Sequence, residues 1–353
     1  MDARYSRQVA LPGFGVAAQQ RLREARVLVI GAGGLGSTVL PALAGAGVGT
    51  IGIVDDDTVE VSNLHRQHIH GMEDVGRSKT ESAVDTIAAL NPTTIVIARR
   101  DRLTAANALA IFAEYDLVID GSDNFATRYL ACDAALVTGI PLVWGSVSQY
   151  GGQASVSWPD SGPNYRDLFP APPPPGAVLS CEVGGVLPTV VGVIGSIMAT
   201  EAIKILSEVG TALRGRVTLF DGLSGEFSSL DYLPDPLATP VTRLVDYDAL
   251  CGTDTITPED LASRTDDFLL LDVREPWEAE IVSLPGSVLI PLGELPGSLG
   301  ALDQARPIVV YCHHGVRSAS ARQLLADHGF RASHLSGGID TWARRVDPSL
   351  ARY

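Results

Sequence analysis

Basic residues are scarce in this chain. Its 353 residues hold 26 lysines and arginines against 41 aspartates and glutamates, a formal net charge of −15. That balance argues against binding nucleic acid or an anionic membrane, since both require a basic face. Cysteine is scarce as well. The four, Cys132, Cys181, Cys251 and Cys312, show no close pairing, so the expected compartment is a reducing cytosol, the cytoplasm. The opening MDARYSRQV is polar and charged, unlike a signal peptide. Long apolar runs are missing too: GGVLPTVVGVIGSIMATEAIKIL is interrupted by Pro188, several glycines, Glu201 and Lys204. It is expected to be a buried helix following a loop, not a membrane span. No internal repeat stands out.

The length suits two domains better than one. Residues 27–30, 51–54, 95–98, 117–120 and 142–145 read as short apolar strands alternating with helical stretches. This predicts an α/β fold, a mostly parallel Rossmann-like sheet with helices on both faces. The helix LGSTVLPALAGAG is rich in small residues, which lets it pack close to the sheet, and Pro41 is expected to kink it. PNYRDLFPAPPPPGAVLSC reads as a stiff, extended surface crossover, and GRVTLFDGLSGEFSSLDY as a closing antiparallel hairpin. These boundaries give a first domain over 1–232, a proline-punctuated linker over 233–252 and a smaller second α/β domain over 253–353.

VLVIGAGGLG runs an apolar strand into Gly31, Gly33 and Gly36, spaced G-x-G-x-x-G, and Asp55 follows about twenty residues later. Any dinucleotide enzyme could carry that fingerprint. Asn63, Arg66, Lys79 and Asp123 of DLVIDGSDN sharpen it. Two cations and a polar amide ahead of a strand-terminal Asp suit a triphosphate with its metal, whereas a nicotinamide needs an apolar floor. The bland alternative leaves Arg66 and Lys79 on a solvated surface.

Read together, RYSRQ, GAGGLG, DDDTVEVSNLHRQ, VGRSKTESA, DGSDN, SCEVGGVL and GSIMATEAIK resemble the ubiquitin-activating-like MoeB/ThiF group. Members of that group adenylate the C-terminal glycine of small sulfur-carrier proteins. The resemblance implies ATP on Gly31, Gly33, Gly34 and Asp55, phosphate contacts from Asn63, Arg66 and Lys79, and Mg²⁺ on Asp123. Arg7 matches an arginine that reaches into the partner subunit's nucleotide site, which implies a homodimer. The chemistry fits those residue types. Attack of a carboxylate on the α-phosphorus of ATP requires two anions to be aligned and their charge neutralised as pyrophosphate departs.

The remaining residues carry a second signature. TPEDLASR opens a helix with Thr257 as N-cap and Pro258 at its first position. PIVVYCHHGVRSASARQLLADHGF is strand, tight loop, then helix, with Cys312 at the strand's end. Backbone N–H groups and the helix dipole converge there on the sulfur, a setting that favours a thiolate and an anion beside it. Gly315 permits the turn. Arg317 stabilises either the loop or an anionic donor, and His313 and His314 either act on the thiolate or sit in solvent. A cysteine phosphatase uses a similar cradle with one more residue between cysteine and arginine, so the shorter spacing favours sulfur. Along its whole length, including GGIDTWARRVDPSLARY, this region resembles a rhodanese domain. That implies a transferable persulfide on Cys312, loaded from a donor such as thiosulfate or a cysteine desulfurase.

Cys181, in SCEVGGVL, matches the family's reactive cysteine near the adenylate. The resemblance implies that it resolves an acyl persulfide after the Cys312 persulfide has attacked the adenylate. A thioester nucleophile and a plain structural cysteine are the alternatives. Cys132 reads as core, and Cys251 has no assignable role. Many relatives hold a structural zinc on two C-x-x-C pairs. Here the first place reads Asn164-Tyr-Arg-Asp167 and no pair follows the hairpin, so no zinc is expected. The preferred function is a fused adenylyltransferase and sulfurtransferase acting on a small ubiquitin-like (MoaD/ThiS-like) carrier. A nicotinamide oxidoreductase and a non-catalytic carrier-binding scaffold are the competitors.

Overall fold

In the computed structural model, residues 2–159, 162–173, 185–245, 247 and 255–353 are described. They fall into two compact units, one ending at Tyr247 and one containing 255–353.

The first unit is built on eight strands: β1 Arg26–Ile30, β2 Thr50–Val54, β3 Ile95–Arg99, β4 Leu117–Asp120, β5 Leu142–Ser148, β6 Gly151–Ser157, β7 Arg216–Asp221 and β8 Phe227–Asp231. Their order is β3-β2-β1-β4-β5-β6-β7-β8. The first five run parallel, and β6, β7 and β8 are added antiparallel. Strand β2 is buried throughout, and so is β4. That is expected of parallel strands covered on both faces. Strand order reverses between β1 and β4, which opens a crevice at their carboxyl ends.

Two apolar helices close one side. The helix Gly34–Ala46 runs unbroken through Pro41, whose missing N–H removes one i→i−4 bond without ending the helix. The helix Pro188–Ser207 has mean hydropathy 1.6 and enough length to cross a membrane. Its Val190, Ile194, Met198 and Ala202 are buried in the main core instead. Glu201, also buried on this helix, accepts the N–H of Leu213 at 2.8 Å.

The crossover differs from its sequence reading where it is described. Tyr165–Leu168 is a helical turn, not extended chain. Asn164 Oδ1 caps it by accepting from Arg166 N at 2.8 Å, and Asp167 returns a bond to Asn164 N at 2.7 Å. Tyr165 packs edge-on against Trp144 and Tyr129, and that aromatic burial outweighs the extended preference of a proline-rich segment. Within the stretch 233–252, Asp235 N donates to Asp167 Oδ1 at 2.8 Å and the buried Tyr247 hydroxyl donates to Asp133 Oδ2 at 2.6 Å.

The second unit has five parallel strands, β9 Thr255–Ile256, β10 Leu269–Asp272, β11 Val288–Leu289, β12 Ile308–Tyr311 and β13 Ala332–Leu335, in the order β11-β10-β12-β13-β9. Side chains of β12 alternate between two cores. Ile308 and Val310 join Leu271, Val273 and Leu325, whereas Val309 and Tyr311 join Leu261, Leu284 and Ile339. Thr257 caps the helix Pro258–Ser263 through Asp260 N. Cys312 follows β12 at the reversal of strand order, the place that the loop after β4 holds in the first unit.

Candidate functional site

In the first unit the site grows from the turn after β1. Gly31 adopts φ +89° and donates its N–H to Val54 O at 2.9 Å. A Cβ on Gly36 would stand 2.1 Å from Gly31 O, so the helix Gly34–Ala46 can start this close to the strand only with glycine there. Gly33 is the N-cap of that helix. Asp55 Oδ2 accepts the N–H of Ala32 at 2.7 Å, fixing the carboxylate at the turn's edge. His70, buried, spans from Ala32 O at 3.0 Å to Ser82 Oγ at 2.7 Å and props the turn from beneath.

The segment 60–67 lies over the turn. The Arg66 stem comes within 4 Å of the Gly34 Cβ position, and Gln67 lies 3.6 Å from that of Gly33. Arg66 Nη1 donates to Ser62 O at 3.2 Å, and Asn63 Oδ1 accepts from Glu60 N at 3.2 Å. Buried Gln67 Oε1 has no partner among the described residues.

Lys79, 7% exposed, opens the helix Lys79–Leu90 and pairs with Asp57 Oδ2 at 2.7 Å. Burial works to lower its pKa, but Asp55, Asp57 and Asp123 outweigh burial and hold the ammonium above its ordinary value. Burial conversely raises the Asp55 carboxyl, against the pull of Lys79. The carboxylates of Asp55, Asp56 and Asp57 lie within 4.8 Å of one another.

Asp123 is not strand-terminal, as its sequence reading had it. β4 ends at Asp120, which is fully buried and held by Ser122 and Arg128, while Asp123 is exposed on the following loop. The sequence DGSDN offers two aspartates. Burial takes the first for structure and leaves the second to face the crevice and Lys79.

Thus Gly31, Gly33, Gly34, Asp55, Asn63, Arg66, Lys79 and Asp123 gather around one crevice. Arg7 does not join them. It is exposed on the helix Ser6–Val9, whose Gln8 bonds Ala46 O at 3.0 Å, at the far end of the helix that begins at the glycine turn. Cys181 and Cys251 lie outside the described residues. Cys132 is buried in the helix Phe125–Thr138, and burial pushes its thiol up to about 12. Asn164 and Asp167 do not fit zinc. Both are engaged in the capping bonds described above, and neither offers a thiolate.

In the second unit, Cys312 is 1% exposed and its Sγ accepts the N–H of Gly315 at 3.1 Å. Ser318 Oγ lies 3.5 Å from the sulfur. Gly315, at φ +95°, is the N-cap of the helix Val316–Asp327, so that helix starts at the sulfur. A second helix, Gly338–Arg345, holds the loop from behind: Ile339 N and Asp340 N donate to Cys312 O and His313 O at 2.9 and 3.1 Å. Arg317 makes a two-bond pair with buried Glu278, both contacts 2.6 Å, and Cys312 lies within its electrostatic reach. Through that pair Arg317 holds Glu278 down at about 2. His313 stacks between His314 and Tyr353, whereas His314 is exposed.

Asp57, Gln67, His70, Glu278 and Tyr353 were not singled out from the sequence. Asp57 was visible as the third acid of DDD. For Tyr353 no local signal exists, since its partners lie 40 or more residues away, and His70 takes its place from Ala32, 38 residues earlier, together with Ser82.

A glycine turn beside a buried lysine, and a cysteine held at a helix N-terminus, are parts that suit a nucleotide-using transferase fused to a sulfurtransferase. The chain belongs to the ThiF family, which it matches over residues 5–237, and it carries a Rhodanese-like domain over 257–345. It is 48% identical to the probable adenylyltransferase/sulfurtransferase MoeZ of Mycobacterium tuberculosis, covering 99% of this chain and 95% of that one. It is 41% identical to the adenylyltransferase and sulfurtransferase MOCS3 of Drosophila grimshawi, covering 99% and 86%. Among solved structures, E. coli MccB with ATP shares the fold at TM-score 0.60 and 20% identity, over 68% of this chain and 74% of that one.

Proposed function

We propose that this bifunctional adenylyltransferase and sulfurtransferase activates the C-terminal Gly-Gly of a small ubiquitin-like sulfur carrier with ATP. It then replaces one carboxylate oxygen by sulfur. The observation that carries the reading is Cys312 under the Gly315 N–H, in a chain whose other unit sets a glycine turn edged by Asp55 beside the buried Lys79. ATP lies along Gly31, Gly33 and Gly34 with its ribose on Asp55. Asn63, Arg66 and Lys79 neutralise the phosphates as the carrier carboxylate attacks the α-phosphorus and pyrophosphate leaves. Asp123 would hold Mg²⁺, which supplies further charge neutralisation on the leaving phosphates. Arg7, anchored away from its own turn, acts on the crevice of a second copy, so the working form is a homodimer.

The Cys312 persulfide attacks the acyl-adenylate and expels AMP, leaving an acyl persulfide. Cys181 then attacks Cys312 Sγ, releasing the thiocarboxylate and leaving a Cys181–Cys312 disulfide for a cellular thiol to reduce. The sulfur enters from thiosulfate or a cysteine desulfurase. We place this cycle in a reducing cytoplasm, which supplies that thiol.

The test is the intact mass of candidate carriers after incubation with the protein, Mg-ATP and thiosulfate. Exchange of one oxygen for sulfur is expected with wild type and lost in Cys312→Ala. Pyrophosphate exchange without a mass change confines the protein to adenylation. Silence in both assays, across every carrier tried, favours the scaffold.

A further inference from the structure

Tyr353 touches the sulfur loop in two separable ways. Its ring stacks on His313, one residue after Cys312, with centroids 4.1 Å apart and planes at 18°. Its hydroxyl donates to Glu278 Oε1 at 2.9 Å and accepts from Arg274 Nη1 at 2.8 Å. Arg274 is itself fully buried and paired with Asp272 at the end of β10. A chain of contacts therefore runs from the sheet through Arg274, Tyr353 and Glu278 to Arg317.

Glu278 Oε1 is shared: it accepts from the Tyr353 hydroxyl and from Arg317 Nη2. A carboxylate oxygen with one donor fewer holds the remaining donor more tightly. Loss of the hydroxyl would draw Arg317 toward Glu278 and away from any anion beside Cys312. Loss of the ring would free His313 and slacken the loop that presents the sulfur.

We propose that Tyr353 is a positioning residue for sulfur loading: its hydroxyl sets how far Arg317 is available to an anionic donor, and its ring fixes the loop that carries Cys312. This rests on the sulfurtransferase reading above. In the loading step the Cys312 thiolate attacks the outer sulfur of thiosulfate, the S–S bond breaks, and sulfite leaves with the electron pair. Cyanide then takes the sulfur as thiocyanate and restores the thiolate.

The experiment is steady-state sulfur transfer from thiosulfate to cyanide by the full chain, comparing wild type with Tyr353→Phe and Tyr353→Leu. Phe keeps the stack and loses the hydroxyl, so KM for thiosulfate should rise about threefold to tenfold with kcat within about twofold. Leu loses both, so kcat should fall by about tenfold as well. Wild-type constants in both variants overturn the proposal. So does an equal loss of kcat in both at unchanged KM, the mark of a smaller folded fraction. A wild type without sulfur transfer removes the sulfurtransferase reading itself and this role with it. Inert substitutions in an active wild type remove this role alone.

Discussion

Gly315 reaches Cys312 with its backbone N–H, 3.1 Å from Sγ, while holding φ at +95°. The bond and the backbone conformation depend on each other. An L side chain at that φ is strained, and a Cβ there would also stand 3.2 Å from Gly337 N. Gly315→Ala should therefore turn the N–H off the sulfur. The expected result is a fall in thiosulfate-to-cyanide transfer of about a hundredfold, the scale of one lost anion-stabilising donor. Carrier-dependent pyrophosphate exchange, measured on the same preparation, should be unchanged.

Lys79 should be indispensable to the other half-reaction. Its ammonium is buried among Asp55, Asp57 and Asp123, so a neutral Lys79→Gln leaves those carboxylates facing an incoming triphosphate. Pyrophosphate exchange should drop about a hundredfold or more. Persulfide loading of Cys312 by thiosulfate, read by mass, should persist. Equal loss of both would place the lysine in folding rather than in chemistry.

Acid should loosen the second unit through Glu278. Arg317 holds its carboxyl at about 2, below the ordinary 4.5. The stabilisation is complete above about pH 4.5 and is lost as pH falls through about 2, because the unfolded chain takes up the proton first. Urea midpoints of the wild type should decline across that window. Glu278→Gln should start lower and show a shallower decline, and parallel curves would exclude the pair as the source.

Chelation should leave the first unit untouched. Asp167 accepts from Asn164 N, Asn164 Nδ2 and Asp235 N, so hydrogen bonds close the join between the capped turn and residue 235. Thermal midpoints with and without EDTA should coincide. Asp167→Ala should cost about 1–2 kcal/mol. A drop on chelation would reveal a structural metal.

The five parallel strands were legible because each is a short apolar run with turn residues at its ends, and the closing hairpin because the turn over 222–225 separates its two arms. Strand β6, Gly-Gly-Gln-Ala-Ser-Val-Ser, was not: its small polar residues carry little hydrophobic signal, and it forms by pairing with β5 and β7. The glycine turn and Cys312 were legible because backbone geometry limits which residues can occupy them. Asp120 and Asp123 could not be ranked from DGSDN, since which one is buried depends on Arg128 folding back over the strand end. Glu278 and Tyr353 were silent for the same reason, because each is defined by a partner far along the chain.

The bonds around Asp167 have a consequence for the conditions under which such an enzyme works. Persulfides and the oxidants that accompany them attack sulfur wherever it is reactive. The bonds on Asp167 come from one amide side chain and two backbone N–H groups, with no sulfur among them, and the thiol that reaches Asn164 Oδ1, Cys132 Sγ at 3.8 Å, is buried. The protein can thus carry reactive sulfur in one unit while the fastening in the other is chemically indifferent to it.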